Sequence, residues 1–137
     1  MVDAGVDMLD QPLHGDNIVG MADLVRQHIG VPICADESVG SPGMLDVVLR
    51  MNAANVICLK PGRMGGIFST QELRRRCDEA GVGYWIGGMF SSALASGIER
   101  VLAAGALPSD VVPYRWRFTN DFADRDVISS DGFLQLP

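Results

Sequence analysis

Polar segments recur at nearly regular intervals, each directly after a short apolar run that predicts a buried β-strand. The four segments are Asp10-Gln11-Pro12, Asp36-Glu37-Ser38, Lys60-Pro61-Gly62-Arg63 and Gly87-Gly88-Met89. The steps from Asp10 to Asp36, Lys60 and Gly88 are 26, 24 and 28 residues. Because this interval fits one strand, loop, helix and loop, the chain is predicted to be a series of βα units. In βα barrels the carboxyl ends of the strands form the active-site face.

Turn and capping signals divide the chain into alternating strands and helices. Strands are predicted over residues 6–9, 31–35, 56–59 and 84–86, and a fifth begins at Val111 until Pro113 interrupts it. Helices are predicted to follow, over about 17–29, 46–52, 69–80 and 91–104. Ser69-Thr70-Gln71-Glu72 fits a capping box for the third helix, which Gly81 closes.

The predicted fold class is α/β, with a parallel sheet and right-handed crossovers. A complete barrel needs roughly 250 residues, so four to five βα units make about half of one. Residues 1–118 are assigned to this partial barrel, with strands ending near Asp10, Asp36, Lys60, Gly88 and Pro113, and residues 119–137 to an irregular C-terminal tail. An open doubly wound domain is the alternative architecture.

Half a barrel leaves two sheet edges without a neighbour, which favours association with another strand. Asp3-Ala4-Gly5 is typical of the end of a helix. The chain is therefore expected to be a piece of a longer protein, or to complete its sheet by forming a homo-oligomer or pairing with the other barrel half.

Composition excludes several classes of partner. The formal net charge of −6 and the pI of about 4.7 argue against nucleic acid and against an anionic membrane surface. The chain has no apolar run near the roughly 18 residues that span a bilayer and no signal-peptide pattern. Three cysteines without metal-ligand spacing, Cys34, Cys58 and Cys77, favour buried thiols in a reduced, cytoplasmic protein.

Strand periodicity brings the first three polar segments to one mouth. Side chains alternate along a strand, so Asp36 shares a face with Cys34, and Lys60 with Cys58. Oxygen ligands such as Asp10 and Asp36 suit Mg²⁺, and a lysine beside a cation among buried groups can have its pKa lowered towards that of a base. For each segment alone, a polar turn is the simpler interpretation. Three polar segments at the ends of neighbouring strands, in register, favour metal-assisted acid–base chemistry.

The four segments together resemble the C-terminal half of an enolase-superfamily barrel. The resemblance rests on their order and spacing, and Lys60-Pro61-Gly62-Arg63-Met64-Gly65-Gly66 is its most specific part. The chain is most similar to the muconate-lactonizing subgroup, and within it to o-succinylbenzoate synthases and N-acylamino acid racemases. This implies a TIM-type (β/α)7β barrel with a capping domain, Mg²⁺ (or Mn²⁺) held by three acidic residues, and lysines that exchange the α-proton of a small carboxylate substrate.

The resemblance also implies roles for individual residues. Asp36 matches the third metal ligand and Lys60 the second acid–base lysine. Asp10 matches the second metal ligand, where the family normally has glutamate, and Ser91 lies where close relatives usually carry glutamate. The first metal ligand and a Lys-x-Lys pair would lie upstream of Met1.

Other residues of the mouth are candidates for supporting the ligands or binding the substrate. Glu37 is expected either to support Lys60 or a metal ligand, or to bond only within its turn. Arg63 is expected either to orient the site or to remain a surface charge. The remaining candidates are Ser38, Gly88, Met89 and Ser91.

The function that follows is Mg²⁺-dependent abstraction of a proton α to a carboxylate through an enediolate, as in o-succinylbenzoate synthase or N-acylamino acid racemase. Asp10, Ser91 and the missing half barrel leave an alternative open, a non-catalytic remnant or a half-barrel subunit that a partner completes. A sugar-acid dehydratase of the same superfamily is disfavoured, because those enzymes usually place a histidine base on a later strand and residues 87–92 contain none.

Overall fold

The computed structural model describes residues 5–112 and 119–120. These residues form a four-stranded parallel sheet in the order β1-β2-β3-β4, with each strand followed by a helix. The strands are β1 (Leu9–Asp10), β2 (Ile33–Ala35), β3 (Val56–Leu59) and β4 (Gly83–Ile86). The helices are α1 (Ile18–Arg26), α2 (Pro42–Arg50), α3 (Ile67–Ala80) and α4 (Ala93–Ala103). The predicted α/β class is confirmed.

The outer face of the sheet, which packs against the helices, is made of large aliphatic side chains. Ile33, Ile57, Leu59 and Ile86 are at most 1 % exposed and belong to one cluster with buried residues of α1, α2 and α3. Burying such a side chain stabilises the fold by about 1.5–3 kcal/mol. The main core of the described chain therefore lies between the sheet and its helices.

The inner face of the sheet carries a second and smaller cluster. It contains Cys34, Val56 and Cys58, with Met8 and Trp85 packed against them. The Trp85 indole donates a hydrogen bond to the Cys34 sulfur at 3.2 Å. Cys34 and Cys58 lie on the inner face below the polar strand ends, in agreement with the alternation expected from the sequence.

The bounds of α1 and α2 differ from the prediction because of local capping and backbone conformation. α2 begins at Pro42 and not near Asp46, since the Ser41 hydroxyl accepts a hydrogen bond from the Met44 amide at 3.3 Å and proline is favoured in the first turn. α1 begins after Asn17, as predicted, but ends at Arg26, and His28 beyond it adopts a φ of +47°. A left-handed residue there ends the helical path before Ile29.

The capping box predicted over residues 69–72 is wrong. α3 begins two residues earlier, after Gly66, whose φ of +90° suits glycine and which caps the helix without a side-chain hydrogen bond. Thr70 lies inside the helix, and its hydroxyl donates to the Gly66 carbonyl at 2.8 Å. The helix ends as predicted at Ala80, with Gly81 in the left-handed conformation.

The expected fifth strand is represented by one bridge. Asp110 pairs with Gly87 in parallel, and Val111 and Val112 have no strand conformation. Pro113 and, apart from residues 119–120, the predicted C-terminal tail lie outside the described residues.

Within the described chain, β1 and β4 are the outer strands of the sheet. No described strand pairs with the outer edge of β1. None of the described helices has the length and apolarity that a bilayer crossing requires.

Candidate active site

Asp36 and Lys60 form an ion pair at the carboxyl ends of β2 and β3. The Lys60 Nζ lies 2.6 Å from Asp36 Oδ2, and Asp36 is only 5 % exposed. The Arg63 guanidinium donates to Asp36 Oδ1 at 2.5 Å and to the Asp36 carbonyl at 2.8 Å. Both carboxylate oxygens of Asp36 are thus engaged by cations, and Arg63 belongs to the site and is not a surface charge.

The turn after β3 brings Arg63 back over the end of β2. The amides of Arg63 and Met64 donate to the Lys60 carbonyl at 2.9 and 3.0 Å, and the Gly66 amide donates to the Pro61 carbonyl at 2.9 Å. These bonds form a tight turn that returns the chain to the start of α3. The Lys-Pro-Gly-Arg sequence therefore delivers two cations to one carboxylate.

Gly87 leaves the space that the Lys60 side chain occupies. A Cβ at Gly87 would lie 2.5 Å from the Cys58 sulfur and 2.9 Å from Lys60 Cε. Neither distance is compatible with van der Waals radii, so this position requires glycine while Lys60 points to Asp36. The neighbouring Gly88 is held by its amide, which donates to the Asp110 carbonyl at 2.5 Å.

Gln11 connects the loops after β1 and β2, a role not predicted from the sequence. Its Oε1 accepts from the amides of Asp36 and Ser38 at 2.9 and 3.1 Å, and its Nε2 donates to the Ser38 hydroxyl and the Leu13 carbonyl, both at 2.9 Å. All four hydrogen-bonding positions of the amide are used. Gln11 also has a φ of +42°, and its place between Asp10 and Pro12 was the available signal.

Asp10 lies at the end of β1 and is exposed. Partial loss of hydration raises the pKa of its carboxyl, and the negative charges of Asp36 and Glu37 act in the same direction, against the opposing effects of Cys34 and Lys60. Asp10 and Asp36 thus repel each other at one mouth. An electrostatic cluster of this kind attracts cations.

Lys60 has a raised pKa in this structure, and the lowering expected beside a bound cation stays a prediction. Burial lowers the pKa of the ammonium, but the hydrogen bond and charge of Asp36 outweigh it, so the pKa of Lys60 lies above its ordinary value. Lys60 is also the only lysine among the 137 residues. Burial raises the pKa of the Cys34 and Cys58 thiols below it, which keeps them neutral.

The other candidates fall into buried and exposed positions. Ser38 is buried and bonded to Gln11, whereas Glu37 and Met89 are exposed. Ser91 is half-buried, and its hydroxyl donates to Glu99 Oε1 at 2.7 Å. Glu99, from α4, is 5 % exposed and was not predicted. A carboxylate thus reaches the position next to Ser91 from the following helix.

The carboxylates of Asp10 and Asp36 are the type of ligand that a hard divalent cation binds, but two ligands are too few for such a site. Carboxylate oxygens are the ligands that Mg²⁺ prefers, yet the described part of the chain has no group of three acidic, histidine or cysteine side chains placed to bind a metal. Asp36 would also have to exchange Lys60 for the ion. A third protein ligand would therefore come from outside the described residues.

Comparison with known proteins places these features in a family. A family model described as enolase C-terminal domain-like matches residues 1–137. The chain is 30 % identical over 137 residues to an N-succinylamino acid racemase from Amycolatopsis sp, covering 97 % of this chain and 36 % of the racemase. It is 30 % identical over 136 residues to an o-succinylbenzoate synthase from Bacillus subtilis (strain 168), covering 94 % of this chain and 35 % of the synthase.

Solved structures agree with the sequence relatives. The L-Ala-D/L-Glu epimerase from Bacillus subtilis superposes with a TM-score of 0.87 at 26 % identity, over 100 % of this chain and 39 % of the epimerase. A probable mandelate racemase from Alicyclobacillus acidocaldarius gives 0.84 at 31 % identity, over 99 % of this chain and 37 % of that protein. The chain spans little more than a third of these relatives, which confirms the predicted C-terminal barrel half. It belongs to the enolase C-terminal domain-like family of the enolase superfamily.

Proposed function

We propose that this chain forms part of an enzyme that removes and returns a proton α to a carboxylate, with Lys60 as an acid–base group. The observation that carries the proposal is the 2.6 Å contact between Lys60 and Asp36 at adjacent strand ends. That contact lies in a chain whose whole length matches the family. Relatives named as a racemase and a synthase support a reaction of this class.

Lys60 would act in its neutral form as the base. Its free amine would accept the substrate α-proton at Nζ and return it from the resulting ammonium. The ion pair with Asp36 holds Lys60 in its protonated form, so the pair must open before the amine can take up a proton. Racemisation requires a second acid–base group on the opposite face, which the family resemblance places on an earlier strand.

Asp10 and Asp36 are the residues that would hold Mg²⁺ (or Mn²⁺). The ion, when bound, would stabilise negative charge on the substrate carboxylate and its enediolate form. Arg63 would keep the Asp36 carboxylate oriented through its bond to the Asp36 backbone carbonyl, and Gln11 would hold the loops of both carboxylates together. These two residues position the site without touching the substrate.

The proposed substrate is a small carboxylate. One relative is named an N-succinylamino acid racemase and another an o-succinylbenzoate synthase. We propose an N-acyl α-amino acid as the first substrate to test, because racemisation adds no demand for a leaving group. Dehydration to o-succinylbenzoate is the second case.

The outer edge of β1, which no described strand pairs with, supports a further part of the proposal, completion of the sheet by another chain segment or by a second copy. Pairing with the other barrel half would cover the unpaired backbone groups of an edge strand. The three buried free thiols in the described residues support a reducing, cytoplasmic setting.

The test is exchange of the α-proton of N-succinyl amino acids with solvent deuterium, followed by ¹H NMR in the natural full-length protein. The Lys60→Ala variant is expected to lose at least about 10²-fold in rate, because general acid–base groups typically contribute that much or more. Arg50→Ala removes one exposed positive charge at the end of α2 and serves as the control. Near-normal exchange by a folded Lys60→Ala variant would overturn the proposal.

A further inference from the structure

The Trp85 side chain crosses the inner face of the sheet and bonds to a thiol two strands away. Trp85 lies on β4 and is the register partner of Cys58 on β3. Its indole nitrogen donates to the sulfur of Cys34, on β2, at 3.2 Å. Val56 and Cys58, on the strand between them, belong to the cluster against which Trp85 packs. The indole is therefore held in place on the inner face both by packing and by a hydrogen bond.

Cys34 in turn adjoins Asp10, the carboxylate at the end of β1. The two residues are register partners on neighbouring strands, and their side chains share a hydrogen bond. Cys34 is fully buried, whereas Asp10 is exposed at the strand end. The thiol thus connects a group of the interior with a group of the mouth.

The direction of both hydrogen bonds follows from the chemistry of the three groups. An indole N–H can only donate, and an ionised carboxylate can only accept. A thiol can do both, and burial raises the pKa of the Cys34 thiol and so keeps its proton in place. Cys34 therefore accepts from Trp85 and donates to Asp10. Because successive hydrogen bonds polarise one another, the bond from the indole strengthens the thiol as a donor.

We propose that Trp85 and Cys34 position the Asp10 carboxylate through this chain of two hydrogen bonds. A carboxylate that accepts a bond from a fixed donor rotates less about its Cβ–Cγ bond, so its remaining lone pairs keep a defined direction. Outer partners that orient a metal-binding side chain typically contribute 10–100-fold in metal affinity or activity. The inference rests on the proposed function, in which Asp10 would help to hold Mg²⁺, and adds two positioning residues to that site.

The infrared S–H stretching band of Cys34 tests the chain of hydrogen bonds without metal or substrate. In the natural full-length protein, this band is the one that the Cys34→Ala variant lacks. A bond to a charged acceptor is strong and lowers the S–H frequency, so Asp10→Ala should move the band to higher frequency. Trp85→Phe keeps an aromatic ring without the N–H and should cause a smaller shift in the same direction. A band that these two variants leave in place would overturn the proposal.

Cys58→Ala is the matched control for the infrared measurement. It removes an equally buried thiol from the same face, but Cys58 is the register partner of Trp85 and not of Asp10. The Cys34 band of this variant should match that of the wild type. A shift as large as that in Asp10→Ala would show that the band reports the packing of the face, which would contradict the proposal.

Binding of Mn²⁺ measures what the orientation contributes to the site. Cys34→Ala is expected to weaken binding about tenfold, the lower end of the range for outer partners, as followed by the electron paramagnetic resonance of the free ion. Cys34→Ser keeps a group that both accepts and donates, and it should recover most of the affinity. A loss that serine does not recover would assign the thiol to packing alone and exclude a positioning role.

The two measurements separate this inference from the proposed function. A wild-type protein that neither exchanges an α-proton nor binds Mn²⁺ would overturn the proposed function, and the infrared shifts would still decide whether Asp10 is held by the thiol. Normal exchange together with an unshifted Cys34 band in Asp10→Ala would overturn the positioning by Cys34 and Trp85 and leave the proposed function standing.

Discussion

The two faces of the sheet differ in the size and chemistry of their side chains, although the same short strands supply both. Ile57 and Leu59 of β3 are buried on the outer face among other aliphatic side chains, whereas Cys58 between them lies on the inner face among sulfur and indole groups. On the inner face, the residues that follow Cys34 of β2 and Cys58 of β3 at the strand ends are Asp36 and Lys60. Stability is therefore concentrated on one face, and the groups capable of chemistry are concentrated on the other.

The largest stability difference should appear between neighbours on β3. Leu59→Ala removes a fully buried side chain from the main core and is expected to lower the free energy of unfolding by about 2–5 kcal/mol. Cys58→Ala removes one sulfur atom from the small inner cluster and should cost less than about 2 kcal/mol. Urea unfolding measures both. A larger loss for Cys58→Ala would contradict the assignment of the core to the outer face.

A side chain at Gly87 should disturb the inner face at its polar end. Gly87→Ala places a Cβ against the Cys58 sulfur and Lys60 Cε, and overpacking of this kind costs about 1–3 kcal/mol. It should also move Lys60 from Asp36 and speed modification of this lysine by an amine reagent. At Gly62 a Cβ meets no atom within 4 Å, so Gly62→Ala is the control. Equal reactivity of Lys60 in both variants would show that Gly87 does not set its position.

Gln11 links the strand ends of the inner face, and replacing it should remove the hydrogen bonds that it makes there. Gln11→Leu leaves the amides of Asp36 and Ser38 without their acceptor, which should lower the free energy of unfolding by about 1–3 kcal/mol. Gln71→Leu, on an exposed position of α3, should change it by no more than about 0.5 kcal/mol. Similar losses in thermal denaturation of the two variants would contradict the account of Gln11.

The smallest effect is expected outside both faces, on the solvent side of α3. Hydrogen bonds from Arg75 and Arg76 lower the pKa of the Glu72 carboxyl to about 2. A lowered folded-state pKa adds stability that is present above the unfolded pKa of 4.5 and is lost as the pH falls towards 2. Glu72→Gln should be slightly less stable than wild type at pH 7 and match it near pH 2. A difference that does not depend on pH would exclude these ion pairs as its cause.

Much of the fold could be predicted from the sequence because each strand is a short apolar run followed by a polar segment. The predicted bounds of β3 agree with the structure, and α1 begins where the predicted helix over about 17–29 begins. The start of α3 was missed because Gly66 caps it through backbone conformation alone. Ser69 and Thr70, which lie inside the helix, therefore give a pattern that predicts a later start.

Alternation along the strands predicted that Asp36 and Lys60 share a face, but it could not predict their further partners. Arg63 bonds to Asp36 across 27 positions of sequence, and Gln11 bonds to Ser38 across 27. Both contacts depend on how two loops fold over neighbouring strands, which local periodicity does not encode. The contact between Ser91 and Glu99 likewise depends on where α4 returns to the sheet.

The pKa of Lys60 with and without Mg²⁺ tests most directly whether the inner strand ends form a metal-assisted acid–base site. In the natural full-length protein, lysine is labelled with ¹³C at Cε, and the signal that the Lys60→Ala variant lacks reports this amine when it is titrated. Without Mg²⁺ the pKa should lie above the ordinary 10.5, because of Asp36. Saturating Mg²⁺ should lower it, since the ion takes the Asp36 carboxylate and repels the ammonium. A pKa that Mg²⁺ leaves unchanged would contradict the site.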